Sequence, residues 1–307
     1  MQARASDAVT EWAFASGWRV VRWLPEAAAY RLFDVMADQL WKRRAGGVEQ
    51  LEANLARVHP QASAEEIRIL SRAGMRSYMR YYCEAFRLPK WSRSRITDTF
   101  IVDRHHIIDE AMAAGTGIIL ATAHMANWDH AGAWGGIRYG RVSSVAERLK
   151  PEGLFQRFLE LRRSVGVEIL GLGDPDVVAT LAQRLEAGGL VAVLGDRDIS
   201  RHGIEVDLFG ERASFPAGPA LLSVMTGAPL HPLTMWFTET GIAGRVHDRI
   251  DIPEHEDRQA QIAQMTQELA TVLEQGIREN SVDWHMLQKV WIADLDSDRR
   301  HKNSDTL

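Results

Sequence analysis

Gly117-Ile-Ile-Leu-Ala-Thr-Ala123 runs directly into His124-Met-Ala-Asn-Trp-Asp129, and this junction decides the fold. A short apolar run entered by a glycine has the pattern of a strand buried on both faces, and the segment from about Asn127 to Ile137 reads as a helix. Outward from it the pattern repeats. Val142 to Ala146, Val167 to Leu170 and Leu190 to Leu194 are further apolar runs, separated by helical stretches from Pro151 to Val165 and from Asp174 to Glu186. In the last of these, Asp174 reads as the N-cap and Pro175 as the first helical residue. Strands that alternate with helices imply an α/β fold with a mostly parallel central sheet and helices on both faces. Strands are also expected at Ile204 to Leu208, Leu230 to Trp236 and Gly244 to Ile250, with an amphipathic helix from about Asp257 to Arg278.

The N-terminal part, residues 1–90, reads as helices. Asp7 caps a first helix to about Trp23, and Pro25 opens a second that ends at Gly46-Gly47. Ser63-Ala-Glu-Glu66 is a capping box that starts a helix through Tyr78, Tyr81 and Tyr82, stopping before Pro89. The expectation is one domain over residues 1–297 and a polar, disordered tail over 298–307. Phe209-Gly210 and Pro216 with Gly218 read as turn-shaping residues.

Composition narrows the function. The 307 residues carry 36 basic and 41 acidic side chains, a net charge of −5, which argues against a general nucleic-acid binder. Cys83 is the sole cysteine, so an internal disulfide and a cysteine-based metal cluster are excluded. No apolar run has the length of a membrane span, and no signal-peptide core is recognisable. A Gly-x-Ser-x-Gly elbow, a phosphate loop and a His-Glu-x-x-His helix are all missing. Gly171-Leu-Gly173-Asp-Pro-Asp176 begins like a dinucleotide fingerprint but has aspartate where the third glycine belongs, so it reads as a strand-to-helix turn.

The chemistry sits at the junction itself. A hydroxyl is a poor nucleophile until a base takes its proton; imidazole titrates near neutrality, and a carboxylate on its second nitrogen fixes the tautomer. His124 and Asp129 offer such a pair at the carboxyl end of a strand, where open α/β sheets bind ligands. On a continuous helix their side chains would diverge, so they meet only if His124 precedes the helix. His202-Gly-Ile-Glu-Val-Asp207 repeats the spacing but runs from a loop into a strand, so spacing alone decides nothing. Asp196, Arg197 and Asp198 follow the Leu190 to Leu194 strand, again at a carboxyl end.

At this point the chain resembles the lysophospholipid acyltransferase superfamily, and within it the lipid A acyltransferase branch. The ordered motifs are His124-Met-Ala-Asn-Trp-Asp129, Val145-Ala-Glu-Arg-Leu-Lys-Pro151, Gly195-Asp-Arg-Asp198, Gly203-Ile-Glu-Val-Asp-Leu-Phe-Gly210, Phe215-Pro-Ala-Gly-Pro-Ala220, Thr226-Gly-Ala-Pro229 and Asp283-Trp-His-Met-Leu-Gln288. Together they look most like the actinobacterial phosphatidylinositol mannoside acyltransferases. The resemblance implies an acyl-CoA donor, usually palmitoyl, with no metal or other cofactor. It also implies a mannose hydroxyl of a phosphatidylinositol mannoside as acceptor, and peripheral attachment at the cytoplasmic face of the plasma membrane. It makes His124 the base and Asp129 the other member of the pair, and it places Glu147 and Arg162 in the polar site. Asp196 falls where the mycobacterial members have glutamate, one methylene longer, which leaves open whether it reaches the histidine directly or through water.

Other residues carry two readings each. Arg148 and Lys150 flank a helix start and suit coenzyme A phosphates, or are ordinary surface charge; Arg197 lies beside Asp196 as a further binding group. Trp284 and His285 either border the acceptor pocket or pack internally. Trp12, Trp18 and Trp23 alternate with Arg19 and Arg22, and Trp41 adjoins Lys42, Arg43 and Arg44. Tryptophan and basic side chains favour an anionic membrane surface, so an N-terminal membrane-docking region is expected; the alternative is packing on the sheet.

Overall fold

The computed structural model describes residues 20–45, 47–148, 151–200, 202–255 and 257–295. Asp7, Trp12, Trp18, Arg19, Lys150 and the 298–307 tail lie outside these residues. Helices α1 (Glu26–Lys42), α2 (Val48–Val58) and α3 (Ala64–Arg87) come first. In α3 the Ser63–Glu66 capping box is formed in both directions. On α1, Ala29, Phe33 and Ala37 recur at helical spacing and bury one face in a cluster with Met75, Met79 and Phe86 of α3. Trp41 belongs to this bundle: its indole N–H donates to Ser71 Oγ at 2.9 Å and Arg68 lies 3.8 Å over its ring. The reading of Trp41 as a membrane-facing residue is therefore corrected. Val20, Trp23, Leu32, Val35 and Met36 remain exposed. No helix among the described residues is long and apolar enough to cross a membrane.

The chain then alternates: α4 (Arg93–Asp98), β1 (Phe100–Asp103), α5 (His106–Ala114), β2 (Ile118–Thr122), α6 (Trp128–Tyr139), β3 (Val142–Ala146), α7 (Glu152–Ser164), β4 (Val167–Gly171), α8 (Val177–Glu186) and β5 (Leu190–Leu194). It continues through β6 (Ile204–Leu208), β7 (Glu211–Phe215), α9 (Gly218–Thr226), β8 (Leu230–Phe237), β9 (Ile242–Val246) and α10 (Arg258–Glu279). Seven strands form one sheet in the order β1-β9-β8-β2-β5-β3-β4. All its pairings are parallel except β8 with β9.

Alternation sorts the side chains of this sheet onto two cores. Ile118, Leu120, Leu190, Leu233 and Met235 meet α5 and α6, whereas Ile119, Ala121, Ala123 and Val191 meet α8, α9 and α10. Both faces are therefore covered by helices. Gly136 lets the end of α6 approach the turn before β4: a Cβ there would stand 2.8 Å from Val165 O and 3.0 Å from Gly166 Cα.

Several expectations are corrected. The 204–208 strand pairs with β7 in a separate antiparallel hairpin instead of joining the main sheet. Phe209 and Gly210 make its turn with φ of 52° and 80°, the left-handed pair that a tight hairpin requires. The strand expected at Gly244 to Ile250 starts and ends earlier, as β9. Helix α8 does not start at Asp174, whose carboxylate folds back to accept from Gly171 N at 3.0 Å; its N-cap is Asp176, at φ 62°.

Candidate active site

Strand register brings the first two residues together. Thr122 on β2 pairs with Leu194 on the parallel neighbour β5, and Gly195 N–H donates to Thr122 O at 2.7 Å. His124 and Asp196 each lie two residues beyond that last pair, so the carboxyl edge sets them side by side. The chain after His124 turns sharply before α6 begins. Ala126 takes a left-handed φ of 50°, which costs an L-residue about 1–2 kcal/mol. The turn is held from outside: Ala126 N–H donates to Asp283 O at 3.0 Å, and Met125 bridges Trp284. Asn127 then caps α6, accepting from His130 N at 3.0 Å, while its amide donates to the buried Glu84 at 2.9 Å.

Asp196 is wholly buried and accepts three N–H groups. His124 Nδ1 lies 2.6 Å from Oδ1, while His124 N and Trp284 Nε1 each donate to Oδ2 at 2.9 Å. Burial alone would raise the carboxyl's pKa. The charge of His124 and these hydrogen bonds more than offset it and leave the pKa below the usual value. An ionised carboxylate only accepts, so Nδ1 carries a proton, and in the neutral ring the lone pair is on Nε2. Nε2 has no protein partner among the described residues, and the His124 side chain is 20% exposed. Trp128 meets its ring edge-on, with centroids 5.5 Å apart.

Asp129 does not partner His124. Its carboxylate accepts from Arg162 Nε at 2.6 Å, Arg162 Nη2 at 3.3 Å and Tyr81 Oη at 2.8 Å. The reason is geometric: Asp129 is already inside the first turn of α6, facing α3 and α7, while His124 lies before the turn. Burial opposes the Arg162 charge, but Asp129 more than offsets it and holds the guanidinium above its ordinary pKa. Tyr81 stacks on Trp128 with centroids 4.0 Å apart, so this ion pair backs the ring that packs on His124.

His124, Glu147, Arg162 and Arg197 line one pocket of about 560 Å³. Its wall is mostly apolar and includes Phe100, Ile108, Leu120, Trp134, Leu233 and Met235, so it reaches under α6 into one core of the sheet. Glu147 and Arg197 approach to 3.8 Å. Arg148 is outside this lining and pairs with Asp174 at 2.9 Å and Glu152 at 3.6 Å. His285 is also outside it, buried behind His124, donating its backbone N–H to His124 O at 2.7 Å. Its ring Nε2 meets Ser77 Oγ at 2.8 Å, and burial with the nearby His124 charge pushes its pKa down to about 3. His285 thus stays neutral and inside the fold, which corrects its reading as an acceptor-pocket residue.

The family model for bacterial lipid A biosynthesis acyltransferases matches residues 2–292. The chain belongs to that family. It is 42% identical over 295 residues to a phosphatidylinositol mannoside acyltransferase of Mycolicibacterium smegmatis, covering 95% of this chain and 94% of that protein. It is 43% identical over 296 residues to a phosphatidylinositol mannoside acyltransferase of Mycobacterium tuberculosis, covering 95% of this chain and 91% of that one. Membership makes the chain an acyltransferase.

Within this acyltransferase the second His-x4-Asp pair does not come together. His202 is exposed, with Nδ1 2.9 Å from Ser200 O, and Asp207 lies on β6 with its N–H bonded to Gln267. Ahead of β6, Asp198 accepts from Ser200 N and Gly203 N at 2.8 and 2.9 Å. Sequence reasoning missed Tyr81 and the bond from Trp284 to Asp196. Both come from segments remote in the chain, and no local spacing announces them.

Proposed function

We propose that the protein transfers a long acyl chain, palmitoyl in the first instance, from acyl-CoA to a mannose hydroxyl of a phosphatidylinositol mannoside, with His124 as general base. The observation that carries the reading is His124 Nδ1 held 2.6 Å from the buried Asp196, while the opposite nitrogen has no partner among the described residues and the ring lines a mostly apolar pocket of about 560 Å³. Nε2 takes the acceptor hydroxyl's proton, and the oxygen attacks the thioester carbonyl. Asp196 stabilises the resulting imidazolium. Arg197, lining the same pocket, is a cation suited to the tetrahedral oxyanion. Collapse breaks the C–S bond, and the coenzyme A thiolate leaves with the proton that the imidazolium returns.

The apolar wall suits a hydrocarbon chain, and Glu147 at the polar end suits sugar hydroxyls. The names of the mycobacterial relatives support the acceptor class. Exposed Val20, Trp23, Leu32, Val35 and Met36 on the N-terminal helices support peripheral attachment to a membrane, on the cytoplasmic side where acyl-CoA is available. The test is mass spectrometry of the lipid product after incubation with palmitoyl-CoA and a panel of acceptors: phosphatidylinositol mono- and dimannoside, a lysophospholipid and a lipid A precursor. A palmitoyl ester on mannose supports the reading. Acylation confined to the lysophospholipid or the lipid A precursor overturns the acceptor, and coenzyme A retention with every acceptor overturns the reaction.

A further inference from the structure

We infer that Trp284 is a positioning residue for this reaction: its indole N–H fixes the Asp196 carboxylate in the orientation that keeps the His124 proton on Nδ1. The inference rests on the reading of His124 as the base. A buried carboxylate must fill its lone pairs, and here the donors are unequal. Oδ1 takes the ring proton of His124, whereas Oδ2 takes two donors, His124 N and Trp284 Nε1. An indole N–H only donates and does not titrate, so it requires an acceptor at Oδ2 and excludes a carboxylic O–H there.

The ring has no freedom to leave. Trp284 is fully buried, its backbone bridges Met125, and the next residue donates to His124 O at 2.7 Å. Trp291 packs against it edge-on with centroids 6.2 Å apart, and is itself tied to Leu208 O at 3.2 Å. Trp284 therefore carries the rigidity of the β6–β7 hairpin to the carboxylate. By withdrawing charge from Oδ2 it also weakens the hold of Asp196 on a protonated imidazole, which favours the neutral base. Removing the donor should let the imidazolium form at higher pH.

The other titratable and charged groups around the imidazole are unchanged by this removal. Glu147, Arg197, Asp198 and His202 stand on the pocket side, Asp129 with Arg162 and Tyr81 lies behind Trp128, and His285 with Asp283 lies behind the backbone. A change in the His124 midpoint between proteins that share them isolates the indole N–H.

The experiment measures the His124 titration midpoint and tautomer by imidazole nitrogen NMR, together with kcat and KM for acyl transfer. Four proteins are compared: the wild type, Trp284→Phe, Trp291→Phe, and a protein with 3-benzothienylalanine at 284, which replaces the N–H by sulfur at nearly equal shape. Both 284 variants should raise the midpoint by about half a unit to one unit and lower kcat about tenfold with little change in KM. Trp291→Phe should lower Tm while leaving the midpoint in place, because Trp284 keeps its hydrogen bond. An unchanged midpoint and tautomer in the benzothienylalanine protein, beside an inactive His124→Ala, overturns the role of Trp284 alone. Full transfer by His124→Ala overturns the base assignment and the positioning role with it.

Discussion

Replacing Asp196 by asparagine keeps its volume and changes one property, the ability of both terminal atoms to accept. Two N–H groups, from His124 N and Trp284 Nε1, point at the Oδ2 position, each at 2.9 Å. The asparagine oxygen must take that position. The reverse orientation would leave two buried donors facing an NH2 group, at about 1–3 kcal/mol each. The NH2 then faces His124 Nδ1, where the carboxylate stood at 2.6 Å, and donates to it. Nδ1 becomes the acceptor, the ring proton moves to Nε2, and the nitrogen that faces the pocket loses its lone pair. A histidine locked in the wrong tautomer loses base catalysis by roughly 10³- to 10⁴-fold. Initial rates of coenzyme A release from palmitoyl-CoA with the mannoside acceptor, at matched folded protein, read this loss. Asp196→Glu restores the charge but forces an extra methylene into a closed site, at about 1–3 kcal/mol of strain, and should retain substantial activity. Near-wild-type rates in Asp196→Asn would refute the tautomer argument and remove the residue from the mechanism.

Three further outcomes follow from the same contacts. The His285 pKa falls from 6.5 to about 3 on folding, so the unfolded chain takes up a proton that the folded one declines. Its stabilising contribution is complete above about pH 6.5 and declines as pH falls toward 3; between pH 7 and 5 it amounts to about 2 kcal/mol. Urea unfolding at those two pH values should show that loss reduced in His285→Gln, and an equal loss in both proteins contradicts it. Arg162→Met leaves the Asp129 carboxylate buried with Tyr81 as its one remaining side-chain donor among the described residues, and should lower unfolding free energy by about 3 kcal/mol; an unchanged urea midpoint would show the pair contributes little. Serine at Trp23, Val35 and Met36 together should reduce co-sedimentation with anionic vesicles without lowering Tm, since all three are exposed. Arg22 is left intact in that variant because its Nε donates to Phe86 O at 3.0 Å and it belongs to the fold. Unchanged co-sedimentation would move the membrane contact away from these side chains.

The parallel sheet was legible because β2 and β5 are short apolar runs, β3 and β4 are short and mostly apolar, and each is followed or preceded by a helical pattern. Strand β1 was not: Phe-Ile-Val-Asp is four residues long at the sheet edge, with Ile101 exposed, so it gives no buried run. The β7 segment Glu-Arg-Ala-Ser-Phe is half polar because its hairpin is solvated on one side. Helix α9 is apolar all round, which erases the periodicity that marks a surface helix, and only its Pro216 and Gly218 punctuation was readable. At the site, His124 was legible from its place after a buried strand. Its true carboxylate partner was not legible from spacing, because 72 residues separate it from Asp196 and strand register alone makes them neighbours. The nearby Asp129 is drawn away by Arg162 and Tyr81, contacts that depend on how α3 and α7 pack on α6.

The central claim, that one histidine is the base for acyl transfer, meets its most direct test in the two His-x4-Asp pairs compared side by side. Rates of coenzyme A release at saturating palmitoyl-CoA are measured for His124→Ala and His202→Ala, each with its Tm. His124→Ala should fall by roughly 10²- to 10⁴-fold, the usual contribution of a general base. His202→Ala, which removes an exposed ring at the pocket wall whose Nδ1 lies 2.9 Å from Ser200 O, should cost much less. Equal losses in the two variants, or a larger one in His202→Ala, would contradict the assignment of His124.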